Sequence, residues 1–238
     1  MNRAPLDAIV LAGGRGSRLG GVDKGALLLR DERLIDRVVD AVRGIGIERI
    51  VVVGSLSAAP PGTVSVREDP PFSGPLAALA EGLDALDTRF GAETGASEWV
   101  LLLACDLEHP AAVCDALAVE FARLPRNGTP RDSAHGGGPH ENAPRDGARG
   151  SDRLGGERWD GVLLEDPDGR PQWLAGIYRA SSLRAGLGAA GSLDDRPLRL
   201  AFSGARLIRL PAPSDTIADI DTPEDLARAR RAAAKERP

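Results

Sequence analysis

Short unbroken apolar runs alternate along this chain with segments whose apolar positions recur every three or four residues. Ala8–Leu11, Arg49–Gly54 (RIVVVG) and Trp99–Cys105 (WVLLLAC) are the runs, and a strand covered on both faces reads this way. Apolar residues at 34, 35, 38, 39 and 42 predict a helix over Leu34–Val42. Val64–Asp69 alternate and predict a short third strand. Residues 75–87, PLAALAEGLDALD, predict a small-residue helix with Pro75 in its first turn. Pro110 opens another helix, to about Arg123. This rhythm of strand and helix predicts a doubly wound α/β domain with a mostly parallel sheet.

Residues 125–158 break the rhythm. They are rich in Gly, Pro, Arg, Asp and Asn, nearly without apolar residues, and hold His135 and His140. Such a composition cannot offset its ordering entropy by burial, so a disordered loop insertion within one domain spanning 1–238 is expected. Two histidines in a glycine linker make a weak case for a metal tract. Beyond the insertion, Asp160–Glu165 and Gln172–Arg179 flank Asp166-Pro167-Asp168-Gly169, the turn chemistry of a β-hairpin. A short helix over Ser181–Ala190 and a strand over Ala205–Leu210 follow. Thr222-Pro223-Glu224-Asp225 begins a last helix with a hydroxyl cap, a first-turn proline and early acids.

Composition narrows the classes of partner. The 238 residues suffice for one substantial core. Aromatic residues make up 3%, so that core is built from Val, Leu, Ile and Ala. A net charge of −5 with few aromatics argues against a nucleic-acid surface. No window nears the roughly 20 apolar residues that span a bilayer, and the opening residues carry no signal-peptide pattern. Cys105 and Cys114 are the only cysteines. A reduced, cytoplasmic protein without nucleic-acid or membrane partners is expected.

The chemistry is concentrated after the first strand. Gly13, Gly14, Gly16, Gly20 and Gly21 are interleaved with Arg15, Arg18 and Lys24. Glycine lets backbone N–H groups approach a ligand, and such nests suit anions. The arginines can grip phosphate by forked contacts and the lysine as a point charge. Two common templates fail. The dinucleotide fingerprint would need its third glycine at Leu19, and Lys24 lies between Asp23 and Gly25 rather than in Gly-Lys-Ser/Thr. Asp106 closes the strongest strand, where ligands of open α/β sheets bind. It suits either a helix-capping role before Pro110 or a metal bridge to phosphate. Asp219 and Asp221, two residues apart, share a face if extended, or serve only the start of the last helix.

What remains of the loop, L-A-G-G-x-x-x-R-L-G-x-x-D-K, resembles the signature of nucleotidyltransferases with a sugar-nucleotide pyrophosphorylase-like (GT-A-like) fold. The Arg18-Leu19-Gly20-Gly21-Val22-Asp23-Lys24 ending is most similar to the molybdenum cofactor guanylyltransferase family. The resemblance implies a Rossmann-like three-layer domain with a phosphate loop over 11–24. In it Leu11, Ala12, Gly13, Gly14, Arg15, Gly16 and Lys24 hold the nucleotide, and Arg18, Lys24 and Asp106 are catalytic. It implies Mg²⁺ at Asp106 with help from Asp221, where the family's closing motif has Asn-x-Asn-Thr-Pro-Glu-Asp-Leu. Here Asp219 and Asp221 replace both asparagines, as in some cytidylyltransferase-like relatives. Asp69, followed by Gly74-Pro75-Leu76-Ala77-Ala78, matches a base- and ribose-recognising segment, with Ala78 in place of its last glycine. Pro171–Tyr178 matches a segment near the acceptor, although Trp173 and Tyr178 are equally natural core residues.

The implied reaction joins GMP from GTP to the phosphate of the molybdopterin cofactor, with transient contacts to proteins that handle that cofactor. Cytidylyl transfer, guanylyl transfer to a small phosphorylated acid, and a non-catalytic nucleotide-binding module are the alternatives.

Overall fold

The computed structural model describes residues 5–13, 24–54, 59–94, 97–124 and 158–235. Strands β1 (Leu6–Ala12), β4 (Ile50–Gly54), β5 (Val64–Val66), β6 (Trp99–Ala104), β7 (Gly161–Glu165), β8 (Pro171–Arg179) and β9 (Leu207–Pro211) form one sheet in the order β5-β4-β1-β6-β8-β7-β9. All run parallel except β8, which lies antiparallel to both β6 and β7. A second, two-stranded hairpin joins β2 (Leu28–Leu29) to β3 (Glu32–Arg33).

The helices cover both faces. Alternate residues of a strand point to opposite sides, so Ala8 and Val10 of β1 meet one layer and Ile9 and Leu11 the other. On the first face lie α1 (Leu34–Gly44) and α3 (Pro110–Arg123). Leu34, Ile35, Val38, Val39 and Val42 of α1 are all fully buried, the apolar stripe read from their spacing. On the second face lie α2 (Pro75–Thr94) and α4 (Ala180–Ala190), with a short 3₁₀ turn over Leu198–Phe202. Each such side chain contributes about 1.5–3 kcal/mol on burial, so the two layers hold the sheet between them. The last helix, α5 (Pro223–Lys235), packs through Leu226, Ala229 and Ala233 on Leu29 of the hairpin.

Several details depart from the sequence reading. β5 ends at Val66 rather than at Asp69. α2 continues past residue 87 to Thr94, because Phe90 packs against the second core layer and Gly91 alone does not break the helix. The β2–β3 hairpin was not expected from periodicity. Its turn places Arg30 and Asp31 at positive φ (56° and 65°), so it carries a two-residue hairpin turn without glycine. The insertion expected over 125–158 lies outside the described residues except for Arg158.

Candidate active site

From β1 the chain builds outward to β4 and β5, then returns to place β6 on the other side of β1. A crevice opens beyond the carboxyl ends of two strands at such a switch point. Leu11–Gly13 leave β1 here and Cys105–Asp106 leave β6. Gly54, at the end of neighbouring β4, sits so close that a Cβ there would lie 2.6 Å from the Ala12 carbonyl carbon. The Cys105 N–H donates to Leu11 O at 3.1 Å, so Asp106 is the first residue beyond the ladder.

Three elements distant in sequence hold Asp106 in place. Its carbonyl accepts from the Ile220 N–H at 2.9 Å, and the Glu108 N–H donates to Ala218 O at 2.8 Å, around an antiparallel bridge between Leu107 and Asp219. From α1, Arg37 Nη2 donates to Glu108 O at 3.0 Å. From α5, Arg228 Nη2 pairs with the buried Glu108 carboxylate at 3.0 Å. At the start of α5, Thr222 and Asp225 form a reciprocal cap: the Asp225 N–H donates to Thr222 Oγ1 at 3.1 Å and the Thr222 N–H to Asp225 Oδ2 at 3.0 Å. The zipper with 218–220 and this cap bring Asp221 to the crevice.

Lys24 lies on a 3₁₀ turn over Lys24–Ala26. Its Nζ is 2.9 Å from Asp106 Oδ2 and also donates to Asp221 Oδ1. Burial alone pulls the ammonium pKa down, but the hydrogen bonds to Asp221 and Asp106 and their charges outweigh it and raise it. Lys24 is therefore a permanent cation. Asp219 responds the opposite way. Desolvation by surrounding protein, then the charges of Asp106 and Asp221, push its carboxyl up to about 7. More than a third of its surface faces solvent, which screens part of that push; the upward direction follows from the acid crowding.

Two chambers meet at Asp106. The first, about 330 Å³, is lined by Leu11, Gly13, Lys24, Glu68, Phe72 and Ala78 among others. The second, about 370 Å³, is lined by Gln172, Trp173, Leu198, Ile217, Asp219 and Asp221 among others. Pro75, Ala104, Asp106 and Leu174 belong to both and form the dividing wall. Trp173 stacks on Phe202 with ring centroids 4.6 Å apart. Tyr178 is buried in the core and donates from its hydroxyl to Trp173 O at 3.0 Å. The two aromatic residues of the hairpin thus divide: Trp173 lines a chamber, while Tyr178 supports it.

Of the sequence candidates, Leu11, Gly13, Lys24, Gly74 and Asp106 come together around the first chamber, and Asp221 reaches Lys24 from the second. Ala12 is buried at the end of β1. Gly14, Arg15, Gly16 and Arg18 lie outside the described residues. Asp69 is not brought in: it is exposed, and the chamber wall contains Glu68 instead. Val64 and Val66 pack on the second core layer, and the same alternation carried on to residue 68 turns Glu68 inward and Asp69 outward. The signal for Glu68 is therefore present in the alternation, whereas the motif resemblance falls on its neighbour Asp69. Both cysteines are buried, and burial followed by the Asp115 charge pushes the Cys114 thiol up to about 12.

Among the described residues no three His, Cys, Asp or Glu side chains gather in metal-holding geometry. A magnesium ion needs less, since it binds through one or two carboxylates and completes its shell with water and substrate phosphate. Asp106 and Asp221 fit that requirement, because both already converge on one cation, the Lys24 ammonium. No helix among the described residues is long and apolar enough to cross a membrane.

The sheet order, the switch-point crevice and the acid–lysine cluster define an α/β fold of the nucleotidyltransferase type. A family model, the MobA-like NTP transferase domain, matches residues 8–199, and the chain belongs to that family. A molybdenum cofactor guanylyltransferase of Pseudomonas putida is 36% identical over 107 residues, 44% of this chain and 51% of that one. Another from Bordetella petrii is 31% identical over 136 residues, 52% of this chain and 60% of that one. The chain thus aligns with about half the length of these curated relatives. A crystal structure of molybdopterin-guanine dinucleotide biosynthesis protein A from Archaeoglobus fulgidus superposes with a TM-score of 0.60 at 17% identity, covering 96% of this chain and 99% of that one. That likeness is one of fold.

Proposed function

We propose that the protein transfers GMP from GTP to the phosphate of the molybdopterin cofactor, releasing pyrophosphate and forming the guanine dinucleotide. The observation that carries this reading is the pair of chambers meeting at Asp106, with Lys24 at the junction. A two-substrate transfer needs two adjoining sites with charge neutralisation between them. Family membership and the names of the Pseudomonas and Bordetella relatives support the choice of substrates.

In this mechanism the first chamber takes the nucleoside triphosphate and the second the acceptor. Lys24 places a fixed positive charge on the phosphates as they enter, exchanging its carboxylate partners for phosphate oxygens. Asp106 and Asp221 would hold Mg²⁺, which supplies charge neutralisation at the phosphates and the leaving pyrophosphate. An acceptor phosphate oxygen attacks the α-phosphorus in line. The new P–O bond forms as the bond to the bridging oxygen breaks, and pyrophosphate leaves with the electron pair. The attacking phosphate is already an anion, so no side chain must remove a proton. The chain's own contribution is positioning and electrostatics.

Asp219, where the family's closing motif often has asparagine, supports a second reading in which the same machinery transfers CMP. The deciding experiment measures pyrophosphate release from GTP, CTP, ATP and UTP with Mg²⁺, with and without the molybdopterin cofactor. Release from GTP that requires the cofactor is the expected result. A preference for CTP moves the protein to cytidylyl transfer. Silence with all four, despite measurable triphosphate binding, makes it a binding module or assigns another acceptor.

A further inference from the structure

The Glu108 side chain is 8% exposed and lies two residues beyond Asp106, with Oε2 paired to Arg228 Nη2 at 3.0 Å. Its Oε1 is 3.7 Å from His109 Nε2, beyond hydrogen-bond reach. The second arm of the Arg228 guanidinium, Nη1, pairs with Asp225 Oδ1 one turn earlier in α5. Asp225 Oδ2 in turn accepts the Thr222 N–H at 3.0 Å and the Thr222 hydroxyl at 2.8 Å. Thr222 directly follows Asp221. One planar, rigid fork therefore joins the chain two residues after Asp106 to the chain one residue after Asp221. The backbone zipper does not reach that far. Its Ile220 N–H donates to Asp106 O at 2.9 Å, and Asp221 is the next residue, with its side chain already 44% exposed. Anchoring α5 does not account for the fork. The helix packs through Leu226, Ala229 and Ala233 on Leu29, and Arg230 donates to Leu28 O at 2.9 Å. A buried ion pair also adds little net stability over a well-packed apolar pair.

We propose that Arg228 is a positioning residue of the transfer: its two arms set the separation of Asp106 and Asp221, and with it their joint grip on a divalent cation. This rests on the reading of those two acids as the pair that would hold Mg²⁺. Arg228 touches neither substrate nor metal. It acts through Glu108 on the segment that carries Asp106 and through Asp225 and Thr222 on the segment that carries Asp221. Mg²⁺ demands near-ideal octahedral geometry, so a small drift of one carboxylate against the other weakens a shared grip more than it disturbs the fold.

The test is titration of the full chain with Mn²⁺ alone, followed by loss of the free-ion electron paramagnetic resonance signal, beside thermal melting and the Mg²⁺ dependence of turnover. Wild type is expected to bind Mn²⁺ at a site that Asp106→Ala loses. Arg228→Ala is expected to weaken Mn²⁺ about 10- to 100-fold, as loss of a group that orients metal ligands does. It should also melt lower, because it leaves the Glu108 charge buried and unpaired. Glu108→Leu combined with Arg228→Met removes both charges, so melting should return to the wild-type value. Mn²⁺ should stay about tenfold weaker in that double variant, and the Mg²⁺ concentration for half-maximal turnover should stay raised to match, because nothing then ties Asp225 to the Glu108 segment. Mn²⁺ affinity that follows melting across the variants makes the pair an anchor and overturns the positioning role, as does wild-type affinity in Arg228→Ala. Absence of Mn²⁺ binding by wild type, or binding that Asp106→Ala leaves intact, overturns the reading of the acid pair and this inference with it.

Discussion

The two chambers flanking Asp106 are built in different ways. The first sits over the parallel half of the sheet at the ends of β1 and β6, where Gly13 and Gly74 leave backbone uncovered beside Lys24, Glu68 and Phe72. The second sits over the antiparallel strand β8 and the segment before α5, and among the residues that it does not share with the first are the long side chains of Gln172, Trp173, Leu198 and Ile217. A wall of strand ends can approach a flexible polyphosphate closely with aligned N–H groups. A wall of varied side chains fits one particular shape.

That division can be broken at its shared wall. Asp106→Ala is expected to lower turnover by about 1000-fold or more, since a group placed at developing charge supplies that much, with circular dichroism and melting unchanged. An effect confined to the KM of one substrate would assign Asp106 to a single chamber and end the comparison. Lys24→Ala should follow, with about 100-fold loss of turnover and weaker triphosphate binding by titration. Retention of near-normal turnover would remove Lys24 from the machinery.

Trp173→Ala sharpens the contrast. It is expected to raise the KM for the acceptor about tenfold while leaving the Kd for the triphosphate unchanged, because Trp173 lines only the second chamber. A change in both constants would show that the chambers communicate through Leu174. The smallest effect concerns Asp219. Its carboxyl is raised from 3.8 to about 7, so the folded state holds a proton that the unfolded chain has already lost. Its contribution to stability is full below about pH 4 and lost as pH rises through about 7. Asp219→Asn, melted in metal-free buffer, should match wild type near pH 4 and melt slightly higher at pH 8. A gain that appears only at low pH would reverse this account of the acid cluster.

The folds of the two halves were not equally legible. β1, β4 and β6 are buried on both faces and read directly as apolar runs, and α1 shows all five of its buried positions in its spacing. β8 and β7 were recognisable as a hairpin from Asp166–Gly169, but the hairpin's place was not. Nothing local says that β8 pairs with β6 and is the one strand running against the rest. β2 and β3 are two residues each, too short for any period to register. Asp106 was visible because an abrupt charge ends the strongest strand. Glu68 lies on the face that Val64 and Val66 mark, but the motif resemblance falls on Asp69, which the structure leaves exposed.

By itself the sequence determined most of the elements and the strand-end position of Asp106, because burial, periodicity and turn chemistry act over a few residues. Only the tertiary structure decided which acids share a cation. Lys24 meets Asp106 and Asp221 across separations of 82 and 197 residues. That meeting depends on the strand order, on the backbone zipper between 106–108 and 218–220, and on α5 docking against the hairpin. Such contacts depend on the packing of the whole chain, and no window of sequence contains it.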